Sequence, residues 1–246
     1  MNDKLRIEEI KKLFMGKKFT NEQLYQLYLS EEPGLKENTF RWRVYKLKAE
    51  GVIQSVERGV YTTGFKKVFN PQISNLLQEY YRRISAQFPY MNFSIWHTSW
   101  LHTYMNHQPL TDNTIIEVEK EAVVSVFTEL YESYNNVFLN PEEKEIERYI
   151  ETGQKNIIVK NLIKESPLKT RDGIIIPKIE KIVIDLYVDR KLYSPYQGNE
   201  LRNIYENLFS MFNINQSTLS RYANRRGARE KLYHFLFNDL LVGIND

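Results

Sequence analysis

Eleven consecutive positions, 38 to 48, hold Asn38, Thr39, Arg41, Arg43, Tyr45, Lys46 and Lys48. Asn, Thr, Tyr and Lys are side chains that read base edges or hold phosphates, and Arg and Lys suit the sugar-phosphate walls of a groove. Such chemistry needs a helix to present it. Phe40, Val44 and Leu47 recur at steps of four and three, so they share one stripe. At about 100° per residue, Asn38, Thr39, Trp42, Tyr45, Lys46 and Ala49 project the other way. Arg41, Arg43 and Lys48 fall on the flanks. An ordinary solvated helix carries similar charges, so the flanking elements decide.

The pattern predicts one helix from Lys36 to Glu50, a stop at Gly51, and strands Val52–Glu57 and Val60–Thr62 joined by Arg58-Gly59. Gly59 supplies the positive φ that tight hairpin turns need, and Arg58 at the tip would reach a backbone or minor groove. Trp42 is ambiguous: it falls on the outward face, yet large aromatics more often pack than protrude, and wedging against this hairpin is the other reading. Two shorter helices come first. One spans Leu5–Phe14, with Leu5, Ile7, Ile10, Leu13 and Phe14 on one side. The other is capped by Thr20, with Gln23 completing a capping box and Leu24, Leu27 and Tyr28 inward. Pro33-Gly34 then breaks the chain. Three helices followed by a hairpin are the layout of a winged helix-turn-helix, whose third helix enters a major groove.

Charge agrees with that placement. Residues 1–68 carry 14 Lys+Arg against 9 Asp+Glu, whereas residues 69–246 carry 20 against 22. The basic excess sits on the front module, where phosphate contact would occur.

Elsewhere the candidates for chemistry are thinner. His97, His102 and His107 are spaced by five, which does not bring two imidazoles onto one helical face as a four-residue step would. Glu117 and Glu119 beside Lys120 suggest a metal-dependent nuclease strand, with acids holding Mg²⁺. Strand alternation would keep the two acids together, but no third acid stands at a suitable position, and a surface charge pair is the preferred reading. No G-x-S-x-G elbow and no P-loop occur. Arg221, Arg225, Arg226, Arg229 and Lys231 form a basic cluster netting +4 over eleven residues. A solvated face ranks first for it, an acidic protein partner second and DNA third.

Composition sets the frame. Apolar residues make up 42% and charged residues 26%, enough to bury a core, and 246 residues allow one large or two smaller domains. Absent cysteine excludes disulfides, thiolate nucleophiles and Cys-based zinc sites. No apolar run approaches the roughly 20 residues that span a bilayer, and the first residues lack a signal-peptide core, so a cytoplasmic protein is expected. No cofactor is expected.

Beyond Phe69-Asn70-Pro71, helices are expected at Ile73–Gln87, through Trp100 to Met105, and at Glu121–Tyr134 and Glu142–Glu151. Strands are expected at Asn92–Trp96, Thr114–Val118, Asn136–Leu139 and Asn156–Ile163, the last extended by Gly173–Pro177. Four helices close the chain: Lys178–Tyr187, Glu200–Phe212, Ser217–Arg225 and Ala228–Phe237. The expected architecture is mixed α/β: a winged helix in residues 1–68 and a larger α/β domain with C-terminal helices in 69–246.

The run Thr39-Phe40-Arg41-Trp42-Arg43-Val44-Tyr45-Lys46-Leu47, then Gly51-Val52-Ile53 to Arg58-Gly59-Val60-Tyr61, resembles AbiEi-like antitoxins. So does Ile179-Glu180-Lys181-Ile182-Val183-Ile184-Asp185-Leu186, which is similar to that family's Glu-Lys…Asp-Leu stretch. Phe88 to Lys164 matches no pattern of that family. The resemblance implies a bacterial type IV toxin–antitoxin or abortive-infection system. In it the winged helix represses the operon's own promoter, a homodimer on DNA being one arrangement. The C-terminal domain opposes a nucleotidyltransferase-like toxin, and no enzymatic activity is implied. The alternatives are a transcription factor whose larger domain binds a ligand or a second copy, and, below it, the Glu117/Glu119 nuclease.

Overall fold

The computed structural model describes residues 3–64, 67–150, 155–236 and 240. It is mixed α/β with three small sheets among the described residues. Among the described residues two units separate: one holds the residues up to Phe69 with Phe209–Asn213, the other Asn70–Leu208 and the described residues from Ile214 to 240.

The first unit opens with a 3₁₀ turn (Asp3–Leu5) and α1 (Ile7–Phe14). The single helix expected there is divided at Arg6, whose φ of 48° ends the turn. The Arg6 guanidinium binds Glu9 at 2.6 Å, Glu31 at 3.0 Å and the Leu27 carbonyl, fastening the chain start to the next helix. Strand β1 (Lys18–Thr20) follows, then α2 (Asn21–Leu29), α3 (Glu37–Ala49), β2 (Ile53–Glu57) and β3 (Val60–Thr63). Thr20 caps α2 through the Gln23 amide, and the Gln23 side chain accepts a bond from the Thr20 amide, closing the capping box. The three strands form an antiparallel sheet ordered β1-β3-β2, with Phe19 opposite Tyr61 and Ser55 opposite Tyr61 on its other side. Phe40, Val44 and Leu47 are buried together with Ile10, Phe19 and Tyr28.

The second unit starts with α4 (Asn75–Gln87), capped by the Ser74 hydroxyl. Then come β4 (Phe93–His97), a 3₁₀ segment (Thr98–Tyr104) where the sequence predicts a helix to Met105, β5 (Asp112–Val118) and α5 (Val123–Tyr131). Next are β6 (Val137–Leu139), α6 (Glu143–Glu145) running into a π-helical turn at Ile146–Ile150, and β7 (Lys155–Asn161). The helix ends expected at Glu151 and Phe237 lie outside the described residues. Strands β8 (Leu168–Arg171) and β9 (Ile174–Pro177) precede α7 (Ile179–Val188), α8 (Asn199–Met211), α9 (Gln216–Arg225) and α10 (Arg229–His234).

The sheet of this unit is ordered β4-β5-β7-β6, with β4 antiparallel and the other three parallel. Period-two alternation gives it two working faces. Ile116, Val118, Ile157 and Val159 join Leu77 and Ile84 of α4 and Val126 and Leu130 of α5 in one apolar core. The opposite face meets α7. Gly173–Pro177 does not extend β7 as expected. It pairs with β8 in a separate hairpin around Asp172-Gly173, where positive φ at both residues (50° and 79°) matches a type I′ turn. Among the described residues no helix is long and apolar enough to cross a membrane.

Candidate nucleic-acid interface and a buried charge row

Burying Phe40, Val44 and Leu47 fixes which side of α3 meets solvent. Asn38, Thr39 and Arg41 are exposed, and so are Trp42 (45%) and Tyr45 (67%). Arg41 pairs with Glu37 one turn back at 2.6 Å, both side chains in water. The Lys46 ammonium lies 5.8 Å from the Trp42 ring centroid. Trp42 is therefore not packed inside against the hairpin: it stands on the outer face beside Lys46. Lys48 is half-buried, its ammonium 4.8 Å from the centre of the Tyr61 ring on β3, and burial pushes its pKa below the ordinary lysine value. Arg58 is exposed at the turn between β2 and β3, where Gly59 adopts a φ of 79°.

Arg43 departs from the expected phosphate wall. It is only 5% exposed, its guanidinium donating to Glu32 at 2.6 Å and lying 4.9 Å from the Tyr28 ring centroid. Position 43 borders the buried stripe of α3, and the segment after α2 covers that edge. The side chain ties α3 to α2 and is not available to DNA.

The C-terminal basic cluster also divides. Arg221, Arg229 and Lys231 are exposed, and Arg225 pairs with Glu165 at 2.5 Å on the surface. Arg226 does not belong to a surface patch. Its side chain is nearly enclosed, 2.6 Å from Asp189 and 3.7 Å from Asp185.

Those two aspartates lead to an arrangement that residue spacing alone does not assemble. Ser94, Glu117 and Lys160 are register partners across β4, β5 and β7, forming one polar row on the sheet face opposite the apolar core. Helix α7 sets Lys181 and Asp185 one turn apart over that row, and its C-cap residue Asp189 continues the line. Lys181 lies 2.6 Å from Glu117 and 2.5 Å from Asp185, Lys160 lies 2.6 Å from Asp189, and the Tyr222 hydroxyl donates to Asp185 at 3.0 Å. Lys181 is 0% and Glu117 1% exposed. Burial opposes the Lys181 charge, but Asp185 and Glu117 outweigh it and raise its pKa above the ordinary lysine value. Burial likewise pushes Asp189 upward, yet Lys160 and Arg226 hold it below the usual carboxylate range. One sequence signal does point here. Ile179–Leu186 carries apolar residues on every side, the mark of a helix buried all round, so its charged residues must be paired internally.

This row also settles where the two strand acids go. Glu117 faces Lys181 beneath α7, buried on the face opposite the apolar core, whereas Glu119 lies past the end of β5 and accepts a bond from Asn92 at 2.8 Å. They share no site, and Glu117 is no surface charge. Among the described residues no three His, Asp or Glu side chains converge as metal ligands. His102 instead contacts the Tyr196 hydroxyl at 3.2 Å and Asp112 at 3.5 Å, and His97 accepts from the Ser99 amide at 3.3 Å.

A cleft of about 560 Å³ opens at the carboxyl ends of β6 and β7, lined by Asn140, Ile146, Lys160, Asp189 and Leu192 among others. Lys191 and Glu143, both lining it, form an exposed ion pair.

Taken together, an exposed polar-aromatic helix followed by a hairpin, and a sheet unit with an internal charge row, define a two-unit mixed α/β protein. A family of unknown function, DUF6577, matches residues 39–241, and the chain belongs to that family. The match takes in nearly all of α3, the hairpin and the charge row of α7. No curated protein matches the chain.

Proposed function

We propose that this protein binds duplex DNA through a winged helix in its first unit and represses its own promoter. We further propose that it acts in the cytoplasm as the antitoxin of a type IV toxin–antitoxin pair, the second unit opposing a nucleotidyltransferase-like toxin. On this reading it is a binding protein and not an enzyme.

The observation that carries the DNA reading is the composition of the α3 face left in solvent: Asn38, Thr39, Arg41, Trp42 and Tyr45, with Lys46 half-buried beside them. A helix about 10–12 Å wide fits a major groove about 12 Å wide. Asn38, Thr39, Tyr45 and Lys46 would then reach base edges, Arg41 and Lys48 the phosphates, and Arg58 the adjoining backbone. The helix order α1-α2-α3, the hairpin β2-β3 and the short β1 that pairs with it agree with a winged-helix module. The antitoxin half rests on the resemblance in the α3 run and in the Glu180-Lys181…Asp185-Leu186 stretch, the latter being the charge row of α7.

Gel shifts on a duplex from upstream of its own gene test the first half. Arg41→Ala and Lys48→Ala should weaken binding and lower the slope of log affinity against log salt by about one for each phosphate left without its cation, whereas Lys46→Ala should weaken binding through lost base contacts. Unchanged affinity and slope in the double variant Arg41→Ala, Lys48→Ala would remove α3 from the groove. Co-expression with a neighbouring nucleotidyltransferase-like gene tests the second half, with restored growth expected. A ligand-responsive regulator is the second reading, favoured by the cleft beside Lys160 and Asp189, whose volume suits a small molecule.

A further inference from the structure

Helix α3 buries its aliphatic stripe but leaves two large aromatic rings in water. Trp42 and Tyr45 stand three residues apart, so they share a side, and Asn38 precedes Trp42 by one turn on the same stripe. Arg41 and Lys46 flank them, the latter's ammonium within 5.8 Å of the indole centre. The surface is therefore apolar at its middle and cationic at its margins. A polyanion with apolar groups recessed between its charges complements it.

Duplex DNA has that character in one place. In the major groove, the thymine C5-methyl is the apolar group displayed at the base edges, set between two phosphate walls. We infer that Trp42 and Tyr45 read thymine methyl groups, so that the site bound by α3 carries thymines beneath these two side chains. The inference rests on the DNA reading above and names what that surface selects. Three residues of helix advance about 4.5 Å, close to one base-pair step of about 3.4 Å, so the two rings reach neighbouring or next-neighbouring pairs. Asn38, a turn earlier, is of the type that pairs bidentately with adenine.

The test uses the full chain and duplexes enriched from a randomised 20-bp library by repeated rounds of binding. Each enriched duplex is compared with a copy in which deoxyuridine replaces thymidine, which keeps every hydrogen bond and removes only the methyl. Wild-type protein should bind the uracil copy about three- to fivefold more weakly for each methyl covered. Trp42→Ala and Tyr45→Ala should each lose the share of that discrimination owed to one ring, and the double variant should bind both copies alike. Equal binding of the two copies by wild-type protein overturns the inference while leaving the DNA reading intact. Failure to enrich any duplex sinks both. Tighter binding of single-stranded oligonucleotides would assign the rings to base stacking and overturn it as well, as would a wild-type dimer that Trp42→Ala converts to monomer.

Discussion

Glu117 and Lys160 stand side by side in register on the parallel strands β5 and β7, and each takes an ion-pair partner from α7 or its C-cap: Lys181 for Glu117, the C-cap residue Asp189 for Lys160. The helix is thus indexed to the sheet by two charge pairs four residues to either side of Asp185. Apolar packing alone allows a helix to slide or rotate on a sheet at little cost. A buried lysine that must find both Glu117 and Asp185 does not, because any shift leaves charge unpaired in a medium of low dielectric.

Lys181→Met should therefore destabilise the second unit by about 3–5 kcal/mol, the cost of stranding two buried carboxylates. Urea unfolding followed by circular dichroism reads the change. The triple variant Glu117→Gln, Lys181→Met, Asp185→Asn strands no charge and should recover much of it. A single variant within about 1 kcal/mol of wild type would mean the row is solvated, contrary to its burial.

Arg43 and Arg41 offer a contrast on one helix. Arg43→Ala removes the bond to Glu32 and the stacking on Tyr28, so it should cost about 1–2 kcal/mol in unfolding experiments. Glu32 is half in water, which keeps the figure low. Below its melting transition, Arg43→Ala should keep the salt slope of DNA binding. Arg41→Ala should do the reverse, changing the slope and leaving stability within about 0.5 kcal/mol. If the two variants exchanged these phenotypes, the assignment of faces on α3 would be wrong.

The first unit is largely legible in sequence because its signals are local. Thr20 and Gln23 sit three apart, Phe40, Val44 and Leu47 keep helical steps, and Gly59 marks a turn, so each statement needs only neighbours in sequence. Strand β1 is three residues of alternating exposure, too short to show a period, and exists because β3 gives it hydrogen bonds. Arg43 escapes sequence reasoning for a related reason. Helical periodicity orders the faces of α3 but does not say that the segment bearing Glu32 closes over one edge. In the second unit the charge row joins residues 64 positions apart, and charged side chains read one at a time always suggest solvent. Only the all-round apolar character of α7 contradicts that default. The Asp172-Gly173 hairpin is visible in principle, since Asp-Gly between β-prone runs is a turn signal.

Gly64 shows what close approach demands at the base of the hairpin. Its amide donates to the Val52 carbonyl at 2.7 Å, and a Cβ there would lie 2.4 Å from the Gly51 carbonyl oxygen. That neighbour is backbone and cannot swing aside. Gly64→Ala should cost about 1–3 kcal/mol through forced displacement of the strand ends. Gly59→Ala meets open space and is strained only by its positive φ, so it should cost about 1–2 kcal/mol. Thermal melts of both variants decide the matter, and a Gly64→Ala protein as stable as wild type would show that the hairpin base is loose.

Stability should also depend on pH through His97 and His102. Burial pushes both imidazoles below the ordinary histidine value, with Asp112 only partly opposing. The folded state thus binds these protons less readily than the unfolded chain. Their contribution is fully present above about pH 6.5 and is lost as pH falls from there toward the folded-state values. Each histidine gives a slope of at most about 1.4 kcal/mol per pH unit. Glu180 works in the opposite sense at lower pH. Burial raises its carboxyl, so the folded state gains protons that the unfolded chain takes up only in more acid solution. The histidine effect therefore sets in at about pH 6.5, and urea midpoints should stay level above that pH and fall below it. His102→Gln keeps a donor near Tyr196 and Asp112 without a titrating ring, and should flatten that decline. A decline of the same steepness in His97→Gln and His102→Gln alike, and in the double variant, would place the responsible proton elsewhere.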